Sequence, residues 1–137
     1  MKGKGINADF CMFVLASITN SLSFCIRTFL ERSAMKKKTI DILERNFQRD
    51  LIKEIKKRFK GSMVFKMDAN RTQGIPDLLI LFGKHWAALE VKRSAHASRR
   101  PNQEYYVDLM NKMSFAKFIS PENKERILNE LEQSFKD

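Results

Sequence analysis

The sequence predicts a mixed α/β fold, with elements in the order α-β-β-β-α-β-α and a small mixed central sheet flanked by helices. Three observations predict it. Leu43, Phe47, Leu51, Ile55 and Phe59 recur every fourth residue, as on one side of a helix. Short apolar runs bounded by turn residues follow, as in strands. Pro101 and Pro121 then stand where two further helical patterns begin.

Taken in order, residues 40–59 form the first helix, with Ile40 and Ile52 widening its apolar stripe and Gly61 stopping it. Residues 63–67 make a short strand. The polar stretch 68–74 (DANRTQG) is a loop. Residues 78–82 and 86–92 are strands joined through Gly83-Lys84, and so short a turn implies a hairpin. His85 reads as part of that turn. Residues 93–100 form a basic loop, and Pro101 opens a helix that runs to about residue 112. Residues 115–119 are the fourth strand. Ser120 is the expected N-cap of a last helix running to about residue 135, with Glu122 in its positive first turn.

The chain has 137 residues, enough for one domain with a modest core. Two unequal parts are visible. Residues 35–137 read as the compact domain, and residues 1–34 as an apolar N-terminal extension of uncertain role. Within the extension, residues 10–30 (FCMFVLASITNSLSFCIRTFL) have about the length of a membrane span, but polar residues and Arg27 interrupt them. A basic start before an apolar run also fits a secretory signal, although Ser21-Leu22-Ser23 is a poor cleavage site. A third reading starts translation at Met35. The favoured reading of the extension is an accessory or artefactual segment, with the other two left open.

The formal net charge is +10 and the sequence pI about 9.8, which favours a polyanionic partner. Nucleic acid ranks first and an anionic membrane surface second. Cys11 and Cys25 both lie in the extension, so neither a zinc site nor a disulfide framework is supported. His96 sits in the basic loop, exposed or touching phosphate, and neither histidine has a partner at ligand spacing.

The chemistry concentrates in two segments. In Pro76-Asp77-Leu78-Leu79-Ile80 a carboxylate stands at the mouth of an apolar strand, and proline suits a strand start because it donates no ladder hydrogen bond. In Ala88-Leu89-Glu90-Val91-Lys92 the side chains alternate, so Glu90 and Lys92 share one face. Pairing of the two strands brings Asp77 to Glu90 and Lys92. Charges in an apolar strand are costly unless they are paired or bind metal. The bland explanation is a salt bridge. Two carboxylates and one lysine nevertheless leave one negative charge over, and hard oxygen ligands select Mg²⁺ or Mn²⁺ to neutralise it.

These residues resemble the signature of the PD-(D/E)XK nuclease superfamily, whose core order is αβββαβ. More narrowly, Glu44 to Gln48 on the first helix, Gly74-Ile75-Pro76-Asp77, Glu90-Val91-Lys92 and Gln103 resemble the small VRR-NUC branch, which includes stand-alone phage and bacterial proteins and junction-resolvase-like enzymes. The likeness covers about residues 40–135. It implies a restriction-endonuclease-like core and a Mg²⁺-dependent endonuclease that cuts phosphodiester bonds in structured or branched DNA, leaving a 5′-phosphate. Asp77, Glu90 and Lys92 would be catalytic. Glu44, Asp77, Glu90 and the Val91 carbonyl would hold the metal, and Gln103 would support them. Asp41, Asp50 and Glu54 compete with Glu44, whose alternative is an exposed helix carboxylate. Arg100 stands where the branch has a serine, which bears on the role of Gln103.

Arg71, Arg93, Arg99 and Arg100 would meet the phosphates around the cut without reading sequence. Phe47, Phe59, Phe65, Phe115 and Phe118 are expected in the core, while one of Tyr105 and Tyr106 points outward. Size and resemblance together point to a homodimer in the cytoplasm, or the host cytoplasm for a phage protein. Neither a small-molecule cofactor nor a membrane partner is expected. The competing functions are a non-catalytic nucleic-acid-binding module that keeps the fold and a basic protein anchored to membrane through residues 10–30.

Overall fold

A computed structural model describes residues 8–68 and 70–136, with side chains from residue 26 onward. The chain divides into two units, residues 1–40 and residues 41–137. The elements are α1 (Ala8–Arg58), β1 (Met63–Lys66), β2 (Leu78–Phe82), β3 (His85–Val91), α2 (Pro101–Met113), β4 (Phe115–Ile119) and α3 (Lys124–Ser134). The fold is a mixed α/β arrangement of one four-stranded sheet and three helices. The side chains of residues 1–25, on which the signal and membrane readings turn, lie outside the described residues. Among the described residues no helix is long and apolar enough to cross a membrane.

The strands lie in the order β1-β2-β3-β4. The first two pairings are antiparallel and the last is parallel. A parallel neighbour needs a crossover, and α2 provides it between β3 and β4. The strand period of two then sorts the sheet into two faces. On one, Leu78, Ile80, Ala87, Leu89, Val91, Phe115 and Ile119 meet Leu51, Ile55 and Phe59 of α1 and Ile127, Leu128 and Leu131 of α3. On the other, Ala88 and Ala116 pack beneath Val107 of α2, with Trp86, Met110 and Phe118 at the margin. Alanines on the strands let the helix come close. Glu90 belongs to this second face by alternation, and α2 starts above it.

Several boundaries differ from the sequence expectation. The first helix begins at Ala8, since nothing between residues 8 and 40 breaks a helix: no proline or glycine occurs there. Leu43, expected on the apolar stripe, is exposed, because the buried part of that stripe starts only near Leu51. His85 is the first residue of β3 and pairs with Phe82, leaving Gly83-Lys84 alone as the turn, with Gly83 at φ 60°. The last helix starts at Lys124 rather than after Ser120. Its cap residue is Asn123, whose Oδ1 accepts the Ser120 N–H at 2.8 Å, so residues 120–123 close a turn of their own. Phe65 is exposed because β1 is an edge strand and alternation turns Val64, not Phe65, towards the main core.

Candidate active site

Asp77 and Glu90 owe their juxtaposition to the hairpin register. Leu78 pairs with Leu89, so one step further Asp77 stands beside Glu90. The neighbouring strand holds Asp77 as well, since its carbonyl accepts the Met67 N–H at 2.8 Å. Asp77 Oδ2 accepts the Val91 N–H at 2.8 Å, tying the loop end to the strand that carries Glu90. Burial raises the Asp77 carboxyl above its ordinary range, against the opposing pull of the Val91 N–H and the Lys92 charge.

Glu90 is 2% exposed. Its Oε1 lies 3.1 Å from Lys92 Nζ and accepts a hydrogen bond from Gln103 Nε2. Its Oε2 is buried and, among the described residues, has no hydrogen-bond partner. Burial, then the neighbouring Asp77 charge, pushes the Glu90 carboxyl up to about 7. Lys92 is itself buried, and its main-chain N–H is fixed to the Ile119 carbonyl of β4 at 2.8 Å.

Gln103 reaches in from the first turn of α2. Its Oε1 accepts Lys92 Nζ at 2.7 Å and the Arg100 N–H at 3.1 Å. The second contact is the backward half of a capping box. Arginine has no acceptor with which to complete the forward half, so Arg100 removes the helix cap but leaves the Gln103 anchor in place. The loop before Asp77 is held against the same helix start. Gly74 has φ +93°, and a Cβ there would lie 2.6 Å from Asn102 Cβ. Glycine is required both by the turn and by the close approach.

Glu44, on α1, is half-buried. Its pKa is raised first by burial and then by the Asp77 charge, with Lys92 and the Arg93 main chain opposing. It lines an open pocket with Asp41, Arg45, Gln48 and Asp77. A second pocket of ≈ 250 Å³ lies on the α2 side and includes Asp77, Glu90, Arg100 and Gln103. Asp77 is common to both. The structure thus brings Asp77, Glu90, Val91, Lys92 and Gln103 together and sets Glu44 within electrostatic reach. Asp50 and Glu54, two of the competitors for its place, are engaged elsewhere. Asp50 is paired with Arg49 and Lys53, and Glu54 with Lys124.

The arginines separate. Arg100 lines the carboxylate pocket. Arg93 follows Lys92 and is exposed. Arg99 lies with its guanidinium carbon 4.3 Å from the centre of the Phe118 ring. Arg71 is exposed in the 68–74 loop, and among the described residues nothing ties its guanidinium to the carboxylates. Two features escape sequence reasoning. Phe118 packs against the smaller core cluster, as expected, but the register Glu90↔Phe118 also puts it beside the site. Glu122 is expected at a helix start, but its Oε2 accepts the Ala95 N–H at 3.0 Å and pins the basic loop.

Asp77, Glu90 and Glu44 are all raised by burial, Asp77 raises both glutamates further and Glu44 adds to Glu90, which is the electrostatic condition a divalent cation relieves. The unpartnered Glu90 Oε2 is a hard oxygen donor with no protein proton to accept, and hard oxygen donors suit Mg²⁺ or Mn²⁺. Among the described residues no group of three or more His, Cys, Asp or Glu side chains is placed to hold a metal ion.

No family model matches this chain, and no curated protein does. It is similar to a solved structure described as a VRR_NUC domain, with 22% sequence identity and a TM-score of 0.47 over 58% of this chain and 91% of that chain.

Proposed function

We propose that this chain is a divalent-metal-dependent nuclease that hydrolyses phosphodiester bonds in DNA, with structured or branched duplex as its substrate and a homodimer as its working form. One observation carries the proposal: a carboxylate oxygen of Glu90, buried and without a partner, beside Asp77 and a fixed lysine. A salt bridge alone would satisfy Glu90 Oε1 and leave Oε2 costly. A cation gives Oε2 a function. The net charge of +10 supports a polyanionic substrate, and the choice of DNA and of its structure rests on the motif resemblance.

Asp77, Glu90 and the Val91 carbonyl would hold Mg²⁺ or Mn²⁺, with Glu44 acting directly or through water. When bound, the cation supplies Lewis-acid stabilisation of charge on the phosphate. The protein's own groups divide the remaining work. Lys92 has three N–H donors. One points to Glu90 and one to Gln103, and the third is left for a phosphate oxygen or the attacking water. Because two donors are fixed, the third is aimed without reorganisation, which is where preorganised electrostatics gains its advantage. Arg100 lines the same pocket and would neutralise a neighbouring phosphate.

The test is a cleavage screen of linear, nicked, flap and four-way-junction DNA, with and without Mg²⁺, using the full chain and Asp77→Asn. Mg²⁺-stimulated cleavage by the wild type, lost in the variant with DNA binding retained, is the expected result. DNA binding with no cleavage of any substrate would instead favour a non-catalytic module.

A further inference from the structure

Phe118 packs at the margin of the smaller core cluster, and its contact with Arg99 is not part of the carboxylate site. The Arg99 guanidinium carbon lies over the Phe118 ring, 4.3 Å from its centre. Among the described residues no carboxylate pairs with it, although the side chain is exposed and Glu104 borders the same groove. Phe118 is the Cα partner of Glu90 across the parallel β3/β4 pairing. By alternation its ring rises from the sheet face that carries Glu90, one strand spacing away, or about 5 Å. Lys92, Arg99 and Phe118 also border one small cleft.

Stacking uses the flat face of a guanidinium and leaves its in-plane N–H groups free. Those are the groups that bind a phosphate through two parallel hydrogen bonds. An exposed arginine on a free loop loses much rotamer freedom when it meets a ligand. One already laid on an aromatic ring loses less. Glu122 restrains the same loop from below through the Ala95 N–H.

We propose that Phe118 is a positioning residue. It holds Arg99 flat so that the guanidinium edge meets a DNA phosphate on the β4 side of the site, next to the phosphate that is cut. The idea rests on the nuclease reading and adds the device by which one flanking phosphate is gripped. Arg99 and Phe118 then act as a unit rather than as separate contacts. Lysine at 99 keeps the charge but has no flat face to stack.

The experiment measures binding of a short mixed-sequence DNA duplex by the full chain, without divalent metal, across a range of salt concentrations. Arg99→Gln, Arg99→Lys, Phe118→Leu, Phe118→Trp and the double variant Arg99→Gln/Phe118→Leu are compared, each checked for folding by its thermal transition. Arg99→Gln should lower the slope of log affinity against log salt by about 1, the mark of one phosphate contact. Phe118→Leu and Arg99→Lys should each weaken binding about threefold, in line with an exposed cation–π contact. Phe118→Trp should restore wild-type affinity. The double variant should bind no more weakly than Arg99→Gln alone.

Additive losses in the double variant would overturn the proposal, as would a Phe118→Leu protein that folds and binds like the wild type. If Phe118→Leu does not fold, Arg99→Lys, at an exposed position, decides the matter: wild-type binding by it sinks the idea. Failure of the wild type to bind the duplex at all would overturn this proposal, and the nuclease reading falls with it only if flap and four-way-junction DNA are not cleaved either. Normal wild-type binding with no Arg99 or Phe118 effect would overturn this one only.

Discussion

Lys92 Nζ lies 2.7 Å from Gln103 Oε1. The other end of the same amide donates to Glu90 Oε1, so one side chain from α2 holds both members of the Glu90–Lys92 ion pair. An amide does this because it offers an acceptor to the ammonium and a donor to the carboxylate at once, on two separate atoms. The main-chain N–H of Arg100 fixes the amide oxygen from behind.

Gln103→Ala should therefore leave the fold intact and slow cleavage about 10- to 100-fold, the usual scale for a partner that orients metal-site ligands. DNA affinity should change little. Gln103→Glu should be worse than alanine, since it replaces the donor with a further negative charge beside Glu90. Single-turnover cleavage and DNA binding, measured side by side, check this. An unimpaired alanine variant would remove Gln103 from the site's machinery.

Gly74→Ala should destabilise the chain about 1–3 kcal/mol more than Gly61→Ala. Both positions have positive φ, +93° and +90°, so backbone strain is matched. They differ in surroundings. A Cβ at 61 meets nothing within 4 Å, whereas at 74 it would run into the side chain and backbone of Asn102. The added damage should fall on the loop that delivers Asp77 and on the start of α2 that delivers Gln103. Urea titration of the two variants reads the difference, and equal midpoints would refute it.

The parts of this arrangement that are legible in the sequence share a cause: they follow from local periodicity. Alternation alone puts Glu90 and Lys92 on one face, and a two-residue turn makes the hairpin that brings Asp77 to them. What the sequence hides depends on registers and packing between distant elements. Phe118 looks like any apolar strand residue until the parallel pairing with β3 is known. Leu43 continues the stripe of Leu51 and Ile55, and its exposure reflects where the buried contact begins, which periodicity does not report. The start of α3 is hidden because Ser120 and Asn123 are both competent caps, and the choice rests on the Ser120 N–H to Asn123 bond.

Lys92→Met should cost about 3 kcal/mol in metal-free protein, the scale for leaving one member of a buried ion pair alone. Glu90, 2% exposed, would keep only Gln103 as a partner. Adding Glu90→Gln should recover much of that loss, because the stranded charge is gone. The double variant would still be inactive. Urea titrations of wild type, both single variants and the double variant close the cycle, and a simple sum of the single effects would show that the two groups do not depend on each other.

Stability should also respond to pH through Glu90, with a sign set by its raised pKa. Folded Glu90 titrates near 7 against 4.5 when unperturbed. Between those values the folded chain holds a proton that the unfolded chain has released, so stability falls as pH rises. The full effect is at most about 3 kcal/mol, complete above pH 7 and absent below pH 4.5. Asp77 and Glu44 are raised by burial as well and act in the same direction. On the proposed function Mg²⁺ would bind the ionised carboxylates and so should oppose the loss, with a stabilising effect that grows from pH 5 to pH 8. Glu90→Gln should flatten the metal-free profile across this window and remove most of the Mg²⁺ effect. Thermal melts at several pH values, with Mg²⁺ and with chelator, test both halves. A wild-type protein whose Mg²⁺ response is the same at pH 5 and pH 8 would mean that the buried carboxylates are not where the cation binds.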